Sequence, residues 1–235
     1  MTSRVVLVHG AWHGAWCWRP VLEGLERRGV PARAIDLPGH GESTAPLGGL
    51  AEDAQALRAE LASSPGPAVV CGHSLGGAIL SEGVDRGSDV RHLVYLAAIV
   101  PDVGESVMQA ISGTPPEWRS GIGTDAEGRP TLDPERAVEL LYADCDAETA
   151  SWAVSMLGPE DAHVMTTPLG QAAWRHFEST YVVCRQDRIL APEVQEALAR
   201  RCTHSVRWET SHSPMLSKPD LLVDLLADLA AASPA

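Results

Sequence analysis

Residues 72–76 of the chain have the pattern of a catalytic serine turn. Their sequence, Gly-His-Ser-Leu-Gly, fits G-x-S-x-G, and it follows the apolar run Ala68–Cys71 and precedes a helix-like segment. A sharp strand-to-helix turn lifts the serine above the edge of a sheet and needs small flanking residues, which the glycines of the motif and Gly77 supply. The turn also puts the serine at a helix N-terminus, where backbone N–H groups favour developing negative charge. The pattern therefore predicts that Ser74 is a nucleophile.

A histidine near the other end of the chain is the predicted base. A hydroxyl is a weak nucleophile and needs a base to activate it. Of the nine histidines, His212 follows the last strand-like segment, Ser205–Glu209, and precedes the last helix-like segment, Pro219–Ala231. That position puts it at the carboxyl edge of the predicted sheet with Ser74, in the chain order nucleophile, acid, base that this architecture uses. The other eight histidines fit turn, core or surface positions.

Two aspartates are candidates for the residue that orients His212 and stabilises its protonated form. Asp187 comes shortly after the strand-like segment Thr180–Arg185 and lies between nucleophile and base in the chain. Asp102 follows the strand-like segment Val90–Ala98 and is the competing candidate. The chain order favours Asp187 as the third catalytic residue, although aspartate is also common in turns for structural reasons.

Acyl transfer through a serine also needs preorganised N–H donors for the oxyanion. One donor is expected to be the backbone N–H of Leu75, the residue after the nucleophile. The other is expected from the loop after the first strand-like segment, and the backbone N–H of Ala11 is the predicted donor. Because backbone donors tolerate many side chains, both assignments depend on position alone.

Short, almost continuously apolar segments alternate along the chain with helix-like ones. This pattern predicts an α/β fold with a mostly parallel sheet and helices on both faces. Ligands of such sheets bind at the carboxyl ends of the strands, where all the candidate residues lie. The predicted strands are Arg4–Val8, Val30–Leu37, Ala68–Cys71, Val90–Ala98, Thr180–Arg185 and Ser205–Glu209. The predicted helices between and after them are Pro20–Arg28, Leu50–Ser63, Leu75–Arg86, Pro192–Arg201 and Pro219–Ala231.

Residues 101–177 interrupt the alternation. This stretch is rich in glycine and proline up to Pro130, and Asp133 and Asp146 then have the pattern of helix N-caps. We therefore predict a core of residues 1–100 and 178–235 with a helical cap insertion, 101–177, and no second domain.

Most apolar side chains of the insertion are expected to form its own core, but some must face Ser74 if the insertion covers it. Flexible methionines and flat tryptophans would make an apolar pocket for an acyl or alcohol group. The predicted pocket residues are Trp12 and His13 beside the oxyanion loop, and Met108, Trp118, Met156 and Met165 in the insertion.

Five motifs together resemble one enzyme superfamily. They are residues 9–18 (HGAWHGAWCW), 36–41 (DLPGHG), 72–77 (GHSLGG), 186–188 (QDR) and 211–215 (SHSPM). The chain resembles the α/β-hydrolase superfamily, in the branch of plant methylesterases of the salicylate-binding-protein-2 type, hydroxynitrile lyases and bacterial relatives. The resemblance covers residues 4–100 and 180–231 and is weak across 101–177. It implies a Ser74–Asp187–His212 triad, a helical cap over the site and no cofactor.

Composition excludes several classes of partner. The 31 acidic residues exceed the 18 basic ones, which gives a net charge of −13, so we expect no binding to nucleic acid or to an anionic membrane. Five cysteines without CxxC spacing predict neither a disulfide framework nor a zinc site. The first residues run straight into a strand-like segment, so we expect no secretory signal and a cytoplasmic location. A small molecule is the expected partner, and a homodimer is a possible assembly.

These observations favour a serine carboxylic-ester hydrolase for a small to medium, mostly apolar ester. One alternative is a carbon–carbon lyase of the hydroxynitrile-lyase type, and another is a ligand-binding receptor without turnover. The resemblance implies that such lyases carry a lysine directly after the catalytic histidine, where an ammonium stabilises leaving cyanide. This chain has Ser213 there, and its only lysine is Lys218. A receptor has no need of an intact triad.

Overall fold

The computed structural model describes residues 3–114, 119 and 121–232. Within these residues the centre is a six-stranded sheet. Its strands are β1 (Arg4–Val8), β2 (Ala32–Ile35), β3 (Ala68–His73), β4 (Val90–Leu96), β7 (Ser179–Cys184) and β8 (His204–Trp208). Their order in the sheet is β2-β1-β3-β4-β7-β8, and every pair of neighbouring strands is parallel. This architecture confirms the predicted α/β fold class.

Alternate residues of the strands enter two different hydrophobic clusters, one on each face of the sheet. In β1, Val6 and Val8 pack into one cluster, and Val5 and Leu7 pack into the other. Side chains of successive strand residues point to opposite faces, and both faces are covered here, so the strands are apolar at nearly every position. The helices of the described residues are α1 (Arg19–Arg27), α2 (Leu50–Ser63), α3 (Gly76–Gly83), α4 (Val107–Ala110), α5 (Pro134–Leu141), α6 (Ala147–Ser155), α7 (Pro192–Ala199), α8 (Pro214–Ser217) and α9 (Pro219–Ala231).

The strand order reverses at β1. The chain leaves β1 to form β2 on one side and then returns to form β3 on the other side. The connections that follow β1 and β3 therefore run to opposite sides of this point in the sheet. Such a switch point is where open parallel sheets bind their ligands.

Buried apolar side chains from the described part of region 101–177 join the same two clusters as the strands. Leu141 and Ala153 join the cluster that contains Leu7, and Val107 and Val164 join the opposite cluster. A small antiparallel hairpin, β5 (Ile122–Thr124) and β6 (Pro130–Leu132), lies within it and was not predicted. Its strands have three residues each and lie in a stretch rich in glycine and proline, so no strand pattern is visible there.

None of the helices in the described part of the chain is both long and apolar enough to cross a membrane.

Candidate active site

Ser74 sits on a strained turn between β3 and α3. Its φ is +54°, a left-handed value that residues other than glycine rarely adopt. The turn is held by the sheet, because the Ser74 N–H donates to the carbonyl of Leu96 at 3.1 Å and the Ser74 carbonyl accepts from the N–H of Ile99 at 3.0 Å. The strain is therefore supported from β4 and the loop after it, as at other functional turns.

The glycines of the motif are required by close backbone contacts. A Cβ on Gly72 would lie 2.5 Å from the carbonyl oxygen of Gly76, and a Cβ on Gly76 would lie 2.6 Å from that of His9. Gly10, in the loop after β1, approaches from the other side, since its Cβ would lie 2.9 Å from the Cβ of Ser74. The serine turn and the loop after β1 thus touch each other.

His212 and Asp187 form a buried pair at the same edge. His212 Nδ1 lies 2.6 Å from Asp187 Oδ2, and both side chains are almost completely inaccessible to solvent. The His212 carbonyl accepts a hydrogen bond from His73 Nε2 at 2.9 Å, so the residue before the serine supports the histidine loop. The pairing leaves Nε2 of His212 as the ring nitrogen available to exchange a proton with a reacting group.

Four hydrogen bonds fix the Asp187 carboxylate. Oδ1 accepts the backbone N–H groups of Ile189 and Leu190 at 2.8 and 2.9 Å, and Oδ2 accepts Gln195 Nε2 at 2.8 Å in addition to His212. Gln195 is fully buried, and its Oε1 accepts the N–H of Cys184 at 2.9 Å, which fixes the orientation of its amide. The carboxylate is therefore held by donors only, as an ionised acceptor requires.

Asp102 lies elsewhere. Its Oδ1 accepts Arg175 Nε at 2.7 Å in an ion pair that is partly exposed. The hydrogen bond from Arg175 lowers the pKa of the Asp102 carboxyl below its ordinary value. Of the two aspartates that the sequence offers, Asp187 is the one at the His212 ring.

Three other histidines near the site are neutral because they are buried. Burial lowers the pKa of His9 to about 3 and that of His13 to about 4, and it brings the pKa of His73 well below its ordinary value. His9 Nδ1 donates to the carbonyl of Gly10 at 2.9 Å, and its Nε2 accepts the N–H of Leu37 at 3.2 Å. Because both of its ring nitrogens are hydrogen-bonded, His9 holds the loop after β1 against the segment that contains Leu37.

The loop after β1 holds a second left-handed residue. Trp12 has φ +64°, and its indole Nε1 donates to the carbonyl of Pro130 at 3.3 Å. The Trp12 carbonyl accepts the N–H of Gly158 at 2.9 Å. Ala11 and Leu75, the predicted oxyanion donors, both line the cavity in front of Ser74.

The cavity over Ser74 has a volume of about 540 Å³, within the range of small-molecule sites. Its wall is mainly apolar, and much of it comes from region 101–177. The residues that line it are Ala11, Trp12, Ser74, Leu75, Ile99, Met108, Ile111, Arg119, Ile122, Pro130, Glu160, Asp161, Ala162, Met165, Thr166, Ile189 and Leu190.

The predicted pocket residues separate into two groups. Trp12, Met108 and Met165 are in the cavity wall. The structure places His13 and Met156 outside it: His13 is buried behind the loop, where its ring lies against Trp16, and Met156 is 42 % exposed at the end of α6. Helical spacing cannot tell which face of a short helix meets the cavity. Trp118 lies outside the described residues.

A carboxylate in the cavity wall was not predicted. Glu160 Oε2 accepts the N–H of Trp12 at 3.3 Å and lies 3.4 Å from His40 Nε2. Burial alone would lower the pKa of His40, but the hydrogen bond and the charge of Glu160 outweigh burial, so the pKa of His40 is raised.

A second buried acid lies close to this pair. Burial and the Glu160 charge raise the pKa of Asp53 to about 8. No sequence motif marks Asp53 or Glu160 as a residue near the site. Gln195 does have a sequence signal, because it is a polar residue on the apolar face of α7.

Comparison with known proteins agrees with the fold and the motifs. Residues 5–225 match the model of the "Alpha/beta hydrolase family". The alpha/beta hydrolase nvfD of Aspergillus novofumigatus is 30 % identical, with 96 % of each chain covered. Methylesterase 2 of Arabidopsis thaliana is 27 % identical, with 96 % of this chain and 95 % of the relative covered. The crystal structure of a pyrethroid hydrolase from Sphingobium faniae superposes with a TM-score of 0.86 at 25 % identity, covering 99 % of this chain and 98 % of that chain.

The chain therefore belongs to the alpha/beta hydrolase family. The methylesterase relatives confirm the branch that the motifs indicated, which contains the plant methylesterases. The names of these relatives, hydrolase and esterase, are consistent with ester hydrolysis as the shared chemistry.

Proposed function

We propose that this protein is a serine carboxylic-ester hydrolase that acts on a small to medium, mostly apolar ester. The observation that carries the proposal is the buried 2.6 Å pair of His212 and Asp187 at the sheet edge where Ser74 occupies a strained turn. The mainly apolar wall of the cavity in front of Ser74 supports the same function, because most of that wall can be covered by an uncharged, mostly apolar substrate.

The proposed reaction has two halves. His212 Nε2 takes the proton of Ser74 while the serine oxygen attacks the ester carbonyl, and the N–H groups of Ala11 and Leu75 stabilise the oxyanion. The proton then passes from His212 to the alkoxide of the leaving alcohol, and an acyl-enzyme remains. A water molecule, deprotonated by the same His212, attacks the acyl carbon. The bond between the acyl carbon and the Ser74 oxygen then breaks, His212 returns the proton to that oxygen, and the acid leaves. Asp187 keeps the Nδ1 proton in place and stabilises the imidazolium in both halves.

The lyase alternative lacks support at the residue after the base. Ser213 is fully buried and neutral, whereas Lys218 follows α8 and is not in the cavity wall. Its ammonium is therefore unsuited to stabilise a leaving cyanide. The relatives named esterase and methylesterase also favour hydrolysis. A small-molecule substrate, a cytoplasmic location and a homodimer stay predictions.

The test is a comparison of Ser74→Ala with the wild-type protein on p-nitrophenyl esters of increasing chain length, aryl methyl esters and a cyanohydrin. We expect the wild type to hydrolyse some of the esters and Ser74→Ala to lose about 10⁴–10⁶ in turnover. Ser155→Ala is the matched control, because Ser155 is exposed and its hydroxyl bonds only to its own helix, at the Trp152 carbonyl. Ester turnover by Ser74→Ala within tenfold of the wild type would contradict the proposal.

A further inference from the structure

Two side chains of one short segment reach both loops of the active site. Tyr142 and Asp144 lie between α5 and α6, in the region 101–177. The Tyr142 hydroxyl lies 2.8 Å from Nε2 of His13, in the loop after β1. Asp144 Oδ2 accepts the N–H of Ser211, the residue before His212, at 3.0 Å, and Oδ1 accepts the hydroxyl of Ser211.

The Tyr142 contact continues to the oxyanion loop. His13 is neutral because burial lowers its pKa to about 4. Its Nδ1 donates to the carbonyl of Ala11 at 2.7 Å, so its Nε2 is the acceptor for the tyrosine hydroxyl. The Ala11 carbonyl belongs to the peptide that leads into left-handed Trp12. A loop with such a residue keeps its shape only if its surroundings impose it, and the Tyr142–His13 chain is one of these restraints.

The Asp144 contact spans the stretch that carries the base. Besides Ser211, the carboxylate accepts the hydroxyl of Ser217 at 3.0 Å. Ser211 and Ser217 flank His212 and most of α8, so one carboxylate bridges the two ends of this stretch. Hydrogen bonds to an ionised carboxylate are roughly twice as strong as those between neutral groups. The bridge therefore limits the movement of the His212 backbone, in addition to the restraint that Asp187 places on its ring.

We propose that Tyr142 and Asp144 are positioning residues, which hold the oxyanion loop and the base loop at a fixed separation on the two sides of Ser74. The proposal depends on the ester hydrolysis proposed above. Neither side chain is in the cavity wall, so both act through other residues. A misplacement of a catalytic group by about 1 Å can cost roughly 10²-fold in rate, and so these distant contacts should matter to turnover more than to substrate binding.

The decisive comparison is Asp144→Asn with Asp146→Asn. Both changes remove one negative charge from the same loop. Asp146 is the N-cap of α6, and its carboxylate accepts the N–H and the hydroxyl of Thr149 at 2.8 and 3.0 Å, so these bonds stay within its own helix. At position 144 an asparagine keeps one acceptor oxygen for the N–H of Ser211, and its N–H₂ group can donate to the Ser211 hydroxyl, so the bonds remain but lose the strength that the negative charge gives them.

We expect Asp144→Asn to lower kcat about tenfold to a hundredfold with KM within about twofold, in line with a displaced base. Asp146→Asn should leave both constants within about twofold, since asparagine is also a good N-cap. Both variants are measured well below their unfolding midpoints, so that each is fully folded.

The contact between Tyr142 and His13 is tested by Tyr142→Phe, with Tyr95→Phe as the control. Each change removes one buried hydroxyl, but the Tyr95 hydroxyl bonds to Ser81 Oγ at 3.0 Å in the core. We expect only Tyr142→Phe to lower kcat, by several-fold. Because either change breaks the link between the two loops, the double variant should lose little more than Asp144→Asn alone.

Labelling of Ser74 by a fluorophosphonate is a second readout that needs no ester substrate. If the wild type is labelled or hydrolyses esters while Asp144→Asn matches Asp146→Asn in both readouts, the positioning proposal is wrong. An effect on KM alone would also overturn it. If the wild type shows neither labelling nor hydrolysis, the proposed function itself fails, and the positioning role fails with it.

Discussion

Replacement of Asp187 by asparagine exchanges one oxygen for an N–H₂ group in the centre of the site. The two backbone N–H groups at 2.8 and 2.9 Å from Oδ1 will select the amide oxygen for that side. The amide nitrogen then replaces Oδ2 and faces His212 Nδ1 and Gln195 Nε2. It can donate to Nδ1 only if that nitrogen has no proton, so the imidazole proton moves to Nε2. In that tautomer Nε2 cannot accept the proton of Ser74.

The expected fall in kcat follows from the loss of His212 as a base. An asparagine that imposes the wrong tautomer on a catalytic histidine lowers kcat by about 10⁴, which is about 5 kcal/mol of transition-state stabilisation. The N–H₂ group introduced by Asp187→Asn would also oppose the N–H₂ group of Gln195, which should destabilise the fold by about 1–3 kcal/mol. The second effect is smaller than the total stability of a typical domain, so the variant should fold.

The assay is kcat on an activated ester, corrected for the concentration of folded protein, with Asp102→Asn as the control. The Asp102 carboxylate pairs with Arg175 at the surface, where an ion pair contributes about 0–1 kcal/mol, so we expect activity within about twofold of the wild type. Activity of Asp187→Asn within tenfold of the wild type, or a larger loss in Asp102→Asn, would refute the assignment of Asp187 as the residue that orients His212.

Three further predictions concern the turn, the buried acid and the reaction. Gly76→Ala should prevent folding or lower the unfolding midpoint strongly, because its Cβ would lie 2.6 Å from a backbone oxygen, whereas Gly87→Ala, with open space around it, should unfold within a few degrees of the wild type. The pKa of Asp53 is about 8 in the fold against an ordinary 3.8, so the folded state holds a proton that the unfolded state releases, and stability falls as pH rises between these values. Thermal unfolding should therefore show Asp53→Asn gaining more over the wild type at pH 8 than at pH 5, and an opposite trend would contradict the assignment. Mandelonitrile should release no cyanide above background, and release that depends on Ser74 and His212 would restore the lyase alternative.

The core of the fold could be predicted because its strands and helices have strong local patterns. Helix α2 begins and ends where the sequence predicts, at Leu50 and Ser63, since its apolar periodicity stops at a Ser-Pro-Gly-Pro stretch. Strand β2 is shorter than predicted, Ala32–Ile35 instead of Val30–Leu37. Apolar residues at both ends of that run are buried in loops, and composition alone cannot separate a buried loop from a strand.

In the candidate site, too, the residues that follow regular strands could be predicted from the sequence, and those in irregular segments could not. Ser74, Asp187 and His212 follow strands, so the parallel sheet brings their loops to one edge and the pattern of elements suffices to name them. Glu160 and Asp144 reach the site from a region without strong local patterns, and only the packing of 101–177 decides which of its side chains face the sheet. Met156 is exposed and lies outside the cavity wall for that reason, because the exposure of a side chain on a short helix depends on its neighbours.

The central claim is that Ser74 is the nucleophile activated by His212. The most direct measurement is intact-mass and peptide analysis after reaction with a fluorophosphonate, for the wild type, Ser74→Ala and His212→Ala. We predict one adduct per chain on the peptide that contains Ser74, none in Ser74→Ala, and labelling slowed by several orders of magnitude in His212→Ala. An adduct on another residue, or unchanged labelling in His212→Ala, would contradict the account.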